Sequence, residues 1–162
     1  MFLGSCGAGA KTCLINAIIG KDFDRNINCT LTPSYVIKTV KLDNNREIEL
    51  ELWDTVGQVK LKALTKLFLT NIDCFVFGFD VTSNISFDEI KEWYEIAKEN
   101  TNVNLMYLIA NKIDLLNSRV IWENDAKNLA KEYNFRYFEI SCATGIGIQE
   151  FVNDLANEII KY

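Results

Sequence analysis

The sequence predicts an α/β domain, a mostly parallel open sheet with one antiparallel strand and helices on both faces. Three observations carry that expectation. Residues 74–80 (CFVFGFD) and 104–110 (NLMYLIA) are short and almost wholly apolar, as strands covered on both faces are. Residues 36–42 and 47–53 instead alternate in polarity around Asp43-Asn44-Asn45, the pattern of a half-buried antiparallel hairpin with its turn. Between and after the apolar runs, hydrophobic residues recur at helical spacing, and strands alternating with helices wind an open sheet on both faces.

Along the chain, Phe2-Leu3 ends a short apolar strand, and an amphipathic helix carrying Leu14, Ile15 and Ile18 follows a glycine-rich turn. Pro33, the only proline, precedes the hairpin. Phe87, Ile90, Trp93, Tyr94 and Ala97 form the stripe of the next helix. Residues 123–133, with Ala126, Leu129 and Ala130, form another, and Phe151, Leu155 and Ile159 mark the last. No repeat, linker or low-complexity tract interrupts this order, so residues 1–162 read as one domain.

Composition narrows the function. With 49% apolar and 24% charged residues, the chain is a globular protein with a real core. A net charge of −5 and a pI near 4.8 argue against nucleic acid as a partner. No apolar run approaches the roughly 20 residues of a membrane-spanning helix. Histidine is absent, and Cys6, Cys13, Cys29, Cys74 and Cys142 include no C-x-x-C pair, so a zinc site is not expected. Reduced, mostly buried thiols in the cytoplasm are the simpler expectation.

The chemistry concentrates in Gly4-Ser5-Cys6-Gly7-Ala8-Gly9-Ala10-Lys11-Thr12, between the first strand and the first helix. Glycines let backbone N–H groups turn inward around phosphate oxygens, and a helix N-terminus adds positive potential. Lys11 would reach the terminal phosphates, Thr12 would ligate Mg²⁺, and the lining would extend from Ser5 to Cys13. The usual pattern is G-x-x-x-x-G-K-S/T, and this chain has one residue more. Either Ala10 is inserted, or Ser5 and Ala10 stand at the two glycine positions, each with a Cβ that costs roughly 1 to 2 kcal/mol where the backbone is left-handed.

Four further motifs follow in the order and spacing of Ras-superfamily GTPases, and the match spans nearly the whole chain. Trp53-Asp54-Thr55-Val56-Gly57-Gln58 resembles the second-switch W-D-T-A-G-Q, and Asn111-Lys112-Ile113-Asp114 matches N-K-x-D. Ser141-Cys142-Ala143 resembles S-A-K, while Asp80-Val81-Thr82 with Ser86-Phe87 and Trp93 is most similar to the Rab subfamily. The resemblance implies a P-loop NTPase G domain that binds GTP and GDP with Mg²⁺ and hydrolyses GTP slowly.

It also implies roles. Asp114 would accept from the guanine N1 and N2 donors, Asn111 and Lys112 would brace the loop and cover the base, and the Cys142 amide would donate to the guanine carbonyl, with Ser141 supporting it. Ala143 replaces the usual lysine. Phe23 falls where the family places an aromatic against the base edge, although it also reads as an ordinary core or loop aromatic. Thr30 would join Thr12 and Asp54 at the metal when the γ-phosphate is present. Gly57 would donate to that phosphate and Gln58 would orient the attacking water, so Gln58, Lys11 and Gly57 are the expected catalytic group.

Tyr35, Trp53 and Phe68 match an aromatic triad that meets effectors, and exchange factors and GTPase-activating proteins are the other expected partners through the two switches. Pro33 would stiffen the first switch, and Val56 would resist flexing in the second. The first strand reads as a stub, Met1 to Leu3, with a cost in stability. Tyr162 ends the sequence with no C-a-a-X box, so membrane attachment through a lipidated tail is expected by analogy alone. Two readings compete with the Rab-like switch: a pseudo-GTPase interaction module, suggested by Ala10, Ala143, Val56 and the short first strand, and an adenine-specific P-loop enzyme, which Asp114 opposes.

Overall fold

The computed structural model describes residues 1–5, 7, 11–25, 30, 32–42, 46–55 and 69–161. Among them, β1 (Phe2–Leu3), β2 (Ser34–Lys41), β3 (Glu47–Asp54), β4 (Cys74–Asp80), β5 (Leu105–Asn111) and β6 (Arg136–Glu139) form one sheet in the order β2-β3-β1-β4-β5-β6. Only β2 and β3 pair antiparallel. Among the described residues four α-helices accompany them: α1 (Thr12–Ile18), α2 (Asn84–Asn100), α3 (Glu123–Glu132) and α4 (Ile148–Ile159). This is the open, mostly parallel sheet that the polarity pattern predicts.

Strict alternation along the central strands splits the core in two. Val76 of β4 and Tyr107 and Ile109 of β5 join Leu14, Ile15 and Ile18 of α1 and Phe151, Val152 and Leu155 of α4 on one face. Phe75, Phe77, Phe79, Met106 and Leu108 pack with Ile90, Trp93 and Ala97 of α2 and Ala126 and Leu129 of α3 on the other. Every residue of β4 and β5 is buried, which is why neither shows a polar stripe in the sequence.

Several boundaries differ from expectation by a residue or two. β2 begins at Ser34, immediately after Pro33 and ahead of residue 36, because the proline that cannot donate stays outside the ladder while Ser34 pairs with Asp54. The hairpin turn at 43–45 lies outside the described residues, although Leu42 N–H donates to Arg46 O at 2.8 Å across its base. β5 ends at Asn111, one residue later than expected, in register with Asp80. The short β6 was not predicted: Phe138 points to one core and Tyr137 to the other, but four residues are too few for a period to show.

β1 is two residues long yet central. Phe2 aligns with Asp54 of β3 and Val76 of β4, and Leu3 with Phe77. Ahead of it, the Met1 ammonium donates to Cys74 O at 2.8 Å. No helix among the described residues is long and apolar enough to cross a membrane.

Candidate functional site

Those predicted site residues that are described gather mainly where β1, β3, β4 and β5 end, the edge at which open α/β sheets place their ligands. At its centre is Gly4, with φ at +147° and an ideal Cβ position only 2.4 Å from Gly78 O of β4. No side chain fits there. Ser5 is not among the positive-φ residues, so the glycine requirement at the start of the loop falls on Gly4. Of the two registers the sequence leaves open, this favours the one with an extra residue between Gly4 and Lys11. Gly4→Ala is expected to lower unfolding stability by about 2 kcal/mol or more in a denaturant melt, because backbone must move to admit the methyl group.

Lys11 folds back over the loop, its Nζ donating to Gly4 O and Ser5 O at 2.8 Å each. Only 6% of it is exposed, and burial lowers its pKa from 10.5 to about 8, against the opposing pull of Asp54. An ammonium carries three donors; these two carbonyls take two of them. α1 opens at the next residue with no acidic residue in its first turn, so nothing on that turn repels an anion. The Ser5 hydroxyl donates to Glu89 of α2, a tie that no motif announces.

Beside Lys11, three oxygens converge. Thr12 Oγ1 donates to Asp54 Oδ2 at 2.7 Å and Thr30 Oγ1 donates to the same atom at 3.0 Å, with the two hydroxyls 2.9 Å apart. Asp54 is 6% exposed, and its Oδ1 is buried with no hydrogen-bond partner among the described residues. A buried carboxylate oxygen left without a donor is costly. Hard, closely spaced oxygens with one unsatisfied are the donor set that suits Mg²⁺, so Thr12, Thr30 and Asp54 fit the expected ion. Thr55, next to Asp54, anchors the strand end by donating to Phe2 O at 2.6 Å.

The base end is built from two loops tied together. Asp114 Oδ1 accepts from Ser141 Oγ at 2.5 Å, and Ser141 Oγ in turn accepts from Thr144 N–H at 3.2 Å. Asp114 is exposed. Lys112, with φ at +69°, pairs with Asp80 at 2.5 Å and donates to Gly7 O at 3.2 Å. The Cys142 amide, for which the resemblance implies the guanine carbonyl as partner, donates here to Asn111 Oδ1 at 3.1 Å, the acceptor that β5 presents once it runs on to Asn111. Burial pushes the Cys142 thiol up to about 12. Cys74 is likewise buried and raised to about 12, while Cys13 is half-buried.

Phe23 is 43% exposed and so is not a core aromatic. Ala143 is exposed too. Tyr35 stacks on Trp53 with ring centroids 5.0 Å apart and keeps 53% of its surface open. Cys6, Ala8, Gly9, Ala10, Gly57, Gln58 and Phe68 lie outside the described residues, as does Val56.

Residues 1–161 match the family model described as "Ras family". The chain is 31% identical over 161 residues to the Ras-related protein Rab-13 of Mesocricetus auratus, covering 99% of this chain and 78% of that protein. It is 32% identical to the Ras-related protein Rab-1 of Theileria annulata, over 97% of this chain and 71% of the relative. With the Ras-related protein Rab7 of Pisum sativum the identity is 34%, over 99% and 81%. Lys11, the Thr12, Thr30 and Asp54 oxygens and a serine-held Asp114 stand at one sheet edge, in a chain matched over residues 1–161: this protein belongs to the Ras family of small GTPases, and the relatives it resembles here are Rab proteins.

Proposed function

We propose that the chain is a Rab-like molecular switch that binds GDP and GTP with Mg²⁺, hydrolyses GTP slowly, and engages effectors in the GTP state in vesicle trafficking. The observation that carries it is the meeting of Thr12, Thr30 and Asp54 around a carboxylate oxygen with no partner. In this reading Thr12 and Thr30 turn their hydroxyls from Asp54 to the ion, and Asp54 holds it through water. Mg²⁺ there neutralises phosphate charge. Lys11 gives its remaining donor to the terminal phosphates, and Gly57 offers its N–H to the same group. Gln58 orients the attacking water. Loss of the γ-phosphate frees Thr30 and Gly57 together, which releases both switch loops.

At the other end, Asp114 selects guanine, Asn111 and Lys112 frame the base, Ser141, Cys142 and Ala143 line its carbonyl side, and Phe23 covers its edge. Tyr35, Trp53 and Phe68 would present the effector surface, with exchange factors and GTPase-activating proteins acting on the switches. No arginine is identified that acts in cis, so intrinsic turnover is expected on the order of minutes to hours. Cytoplasmic residence with membrane association through a lipidated tail belongs to the analogy with Rab proteins.

The test begins with the nucleotide that co-purifies, followed by Mg²⁺-dependent affinity for labelled GDP and GTP with ATP as competitor. Tight guanine binding that ATP does not displace is the expected result. Gln58→Leu should then slow hydrolysis by about one to two orders of magnitude at unchanged affinity. A second reading, a nucleotide-independent interaction module, is favoured by the extra residue that the Gly4 register leaves in the loop. A folded sample that binds no nucleotide would establish that reading instead.

A further inference from the structure

The loop between β1 and α1 is tied to three other parts of the fold. Gly4 lies against Gly78 of β4, and Lys112, just past β5, donates to Gly7 O at 3.2 Å. Between them Ser5 is held at both ends: its carbonyl accepts from Lys11 Nζ at 2.8 Å, and its hydroxyl donates to the carboxylate of Glu89. Ser5 is buried and Glu89 half-buried. A hydroxyl has one proton to donate, so that of Ser5 is committed to α2 and is not offered to a phosphate.

Glu89 stands on a fixed mount. Ser83 caps α2, its Oγ accepting from Ser86 N–H at 3.3 Å. The buried Ser86 Oγ accepts in turn from Asp80 N–H at 3.0 Å, at the end of β4. The first turn of α2 is thereby pinned to the strand whose Gly78 meets Gly4. Glu89 follows Ser86 by three residues, which puts the two on the same side of the helix, and Ile90 and Trp93 anchor that helix in the core. Such a tie answers a need of this chain. Its loop carries one residue more than the usual pattern, and ordering one further residue costs about what a charge-assisted hydrogen bond returns.

We propose that Glu89 is a positioning residue of the phosphate loop: by fixing the Ser5 hydroxyl to α2 it sets the carbonyl that orients Lys11, and so holds the lengthened loop ready for a nucleoside diphosphate or triphosphate. This rests on the reading of the chain as a nucleotide-binding switch. Glu89 acts through Ser5 and touches no phosphate itself. Its two attributes pull in opposite directions, because its hydrogen bond orders the loop while its negative charge opposes the anion that the loop receives. The first is the larger, so removing the side chain weakens binding.

The test is GDP affinity in Mg²⁺ for the full chain and for its Glu89→Ala, Glu89→Gln, Ser5→Ala and Ser5→Ala/Glu89→Ala variants. Glu89→Ala should bind about tenfold more weakly, as loss of one charge-assisted hydrogen bond implies. Glu89→Gln, whose amide oxygen still accepts from Ser5, should stay within about threefold of the parent. Ser5→Ala should lose about as much as Glu89→Ala, and the double variant no more than either, because the two residues act as one pair. Unchanged GDP binding by Glu89→Ala, a loss in Glu89→Gln equal to that in Glu89→Ala, or additive losses in the double variant would overturn the proposal and leave the nucleotide reading standing. So would tighter binding by Glu89→Ala, which would reduce Glu89 to a repelling charge. A folded parent chain that binds no GDP would overturn both.

Discussion

Asp114→Asn is expected to exchange nucleotide preference from GTP to XTP. The wild-type carboxylate offers two acceptors to the two adjacent donors of guanine, a charge-assisted match. An asparagine sets an N–H₂ donor against one of them, a donor–donor mismatch of the kind that hydrogen-bonding sites reject strongly. Xanthine, with a carbonyl in place of the exocyclic amine, meets that amide. GTP affinity should fall by about a hundredfold or more. The substitution is clean in this structure: Ser141 Oγ donates to Asp114 Oδ1, and the asparagine oxygen accepts the same bond, so the two loops stay tied. Competition of labelled GTP with unlabelled XTP reads the outcome, and a variant that still prefers GTP would sink the guanine assignment.

Lys11→Ala is expected to move stability and affinity in opposite directions. Burial places the lysine pKa near 8 in the free protein, below its ordinary 10.5. The folded state therefore holds a charged ammonium at a cost below pH 8 and sheds that cost as pH rises from about 8 toward 10.5. Removing the side chain removes the cost, so the nucleotide-free melting temperature at pH 7 should not fall. Phosphate is the partner that repays the buried charge, so nucleotide affinity should drop by two orders of magnitude or more. A related pH signature belongs to the wild type. Bound phosphate raises the lysine pKa, so binding takes up a proton above pH 8, and affinity should decline by up to about tenfold per pH unit there while staying flat from pH 6 to 7.5. Calorimetry in buffers of different ionisation enthalpy measures the proton directly. An affinity independent of pH up to 10 would show that Lys11 does not meet the phosphates.

The elements that could be read from sequence were those whose burial is uniform or periodic. β4 is apolar throughout, and α2 carries one stripe over 17 residues. β6 escaped because its two core contacts alternate over only four residues. At the candidate site, motif spacing singled out Lys11, Thr12, Asp54, Asn111, Asp114 and Ser141, and each stands at a strand end, in the loop that follows or at the first residue of α1. Contacts between residues distant in sequence were not legible. The Gly4 position is decided by Gly78 O, the Ser5 hydroxyl by Glu89, and the Cys142 amide by a strand that runs one residue further than its polarity suggests. That Phe23 is not a core aromatic depended on its exposure, which the identity of one aromatic in a loop does not reveal.

Lys112 touches Gly7 of the phosphate loop and Asp80 at the end of β4, and it sits two residues before Asp114. It works as a crossbeam between the ends of the pocket. A ligand that steadies Asp114 also steadies the carbonyl of Gly7, and one that fills the phosphate loop returns the favour with equal strength, because such coupling is reciprocal. A nucleotide, holding base and phosphates on one skeleton, collects both gains at once and meets the second site at high effective concentration. Guanosine and pyrophosphate offered separately would each face a half-slackened frame, so this protein should sense the intact nucleotide far more sharply than the sum of its parts.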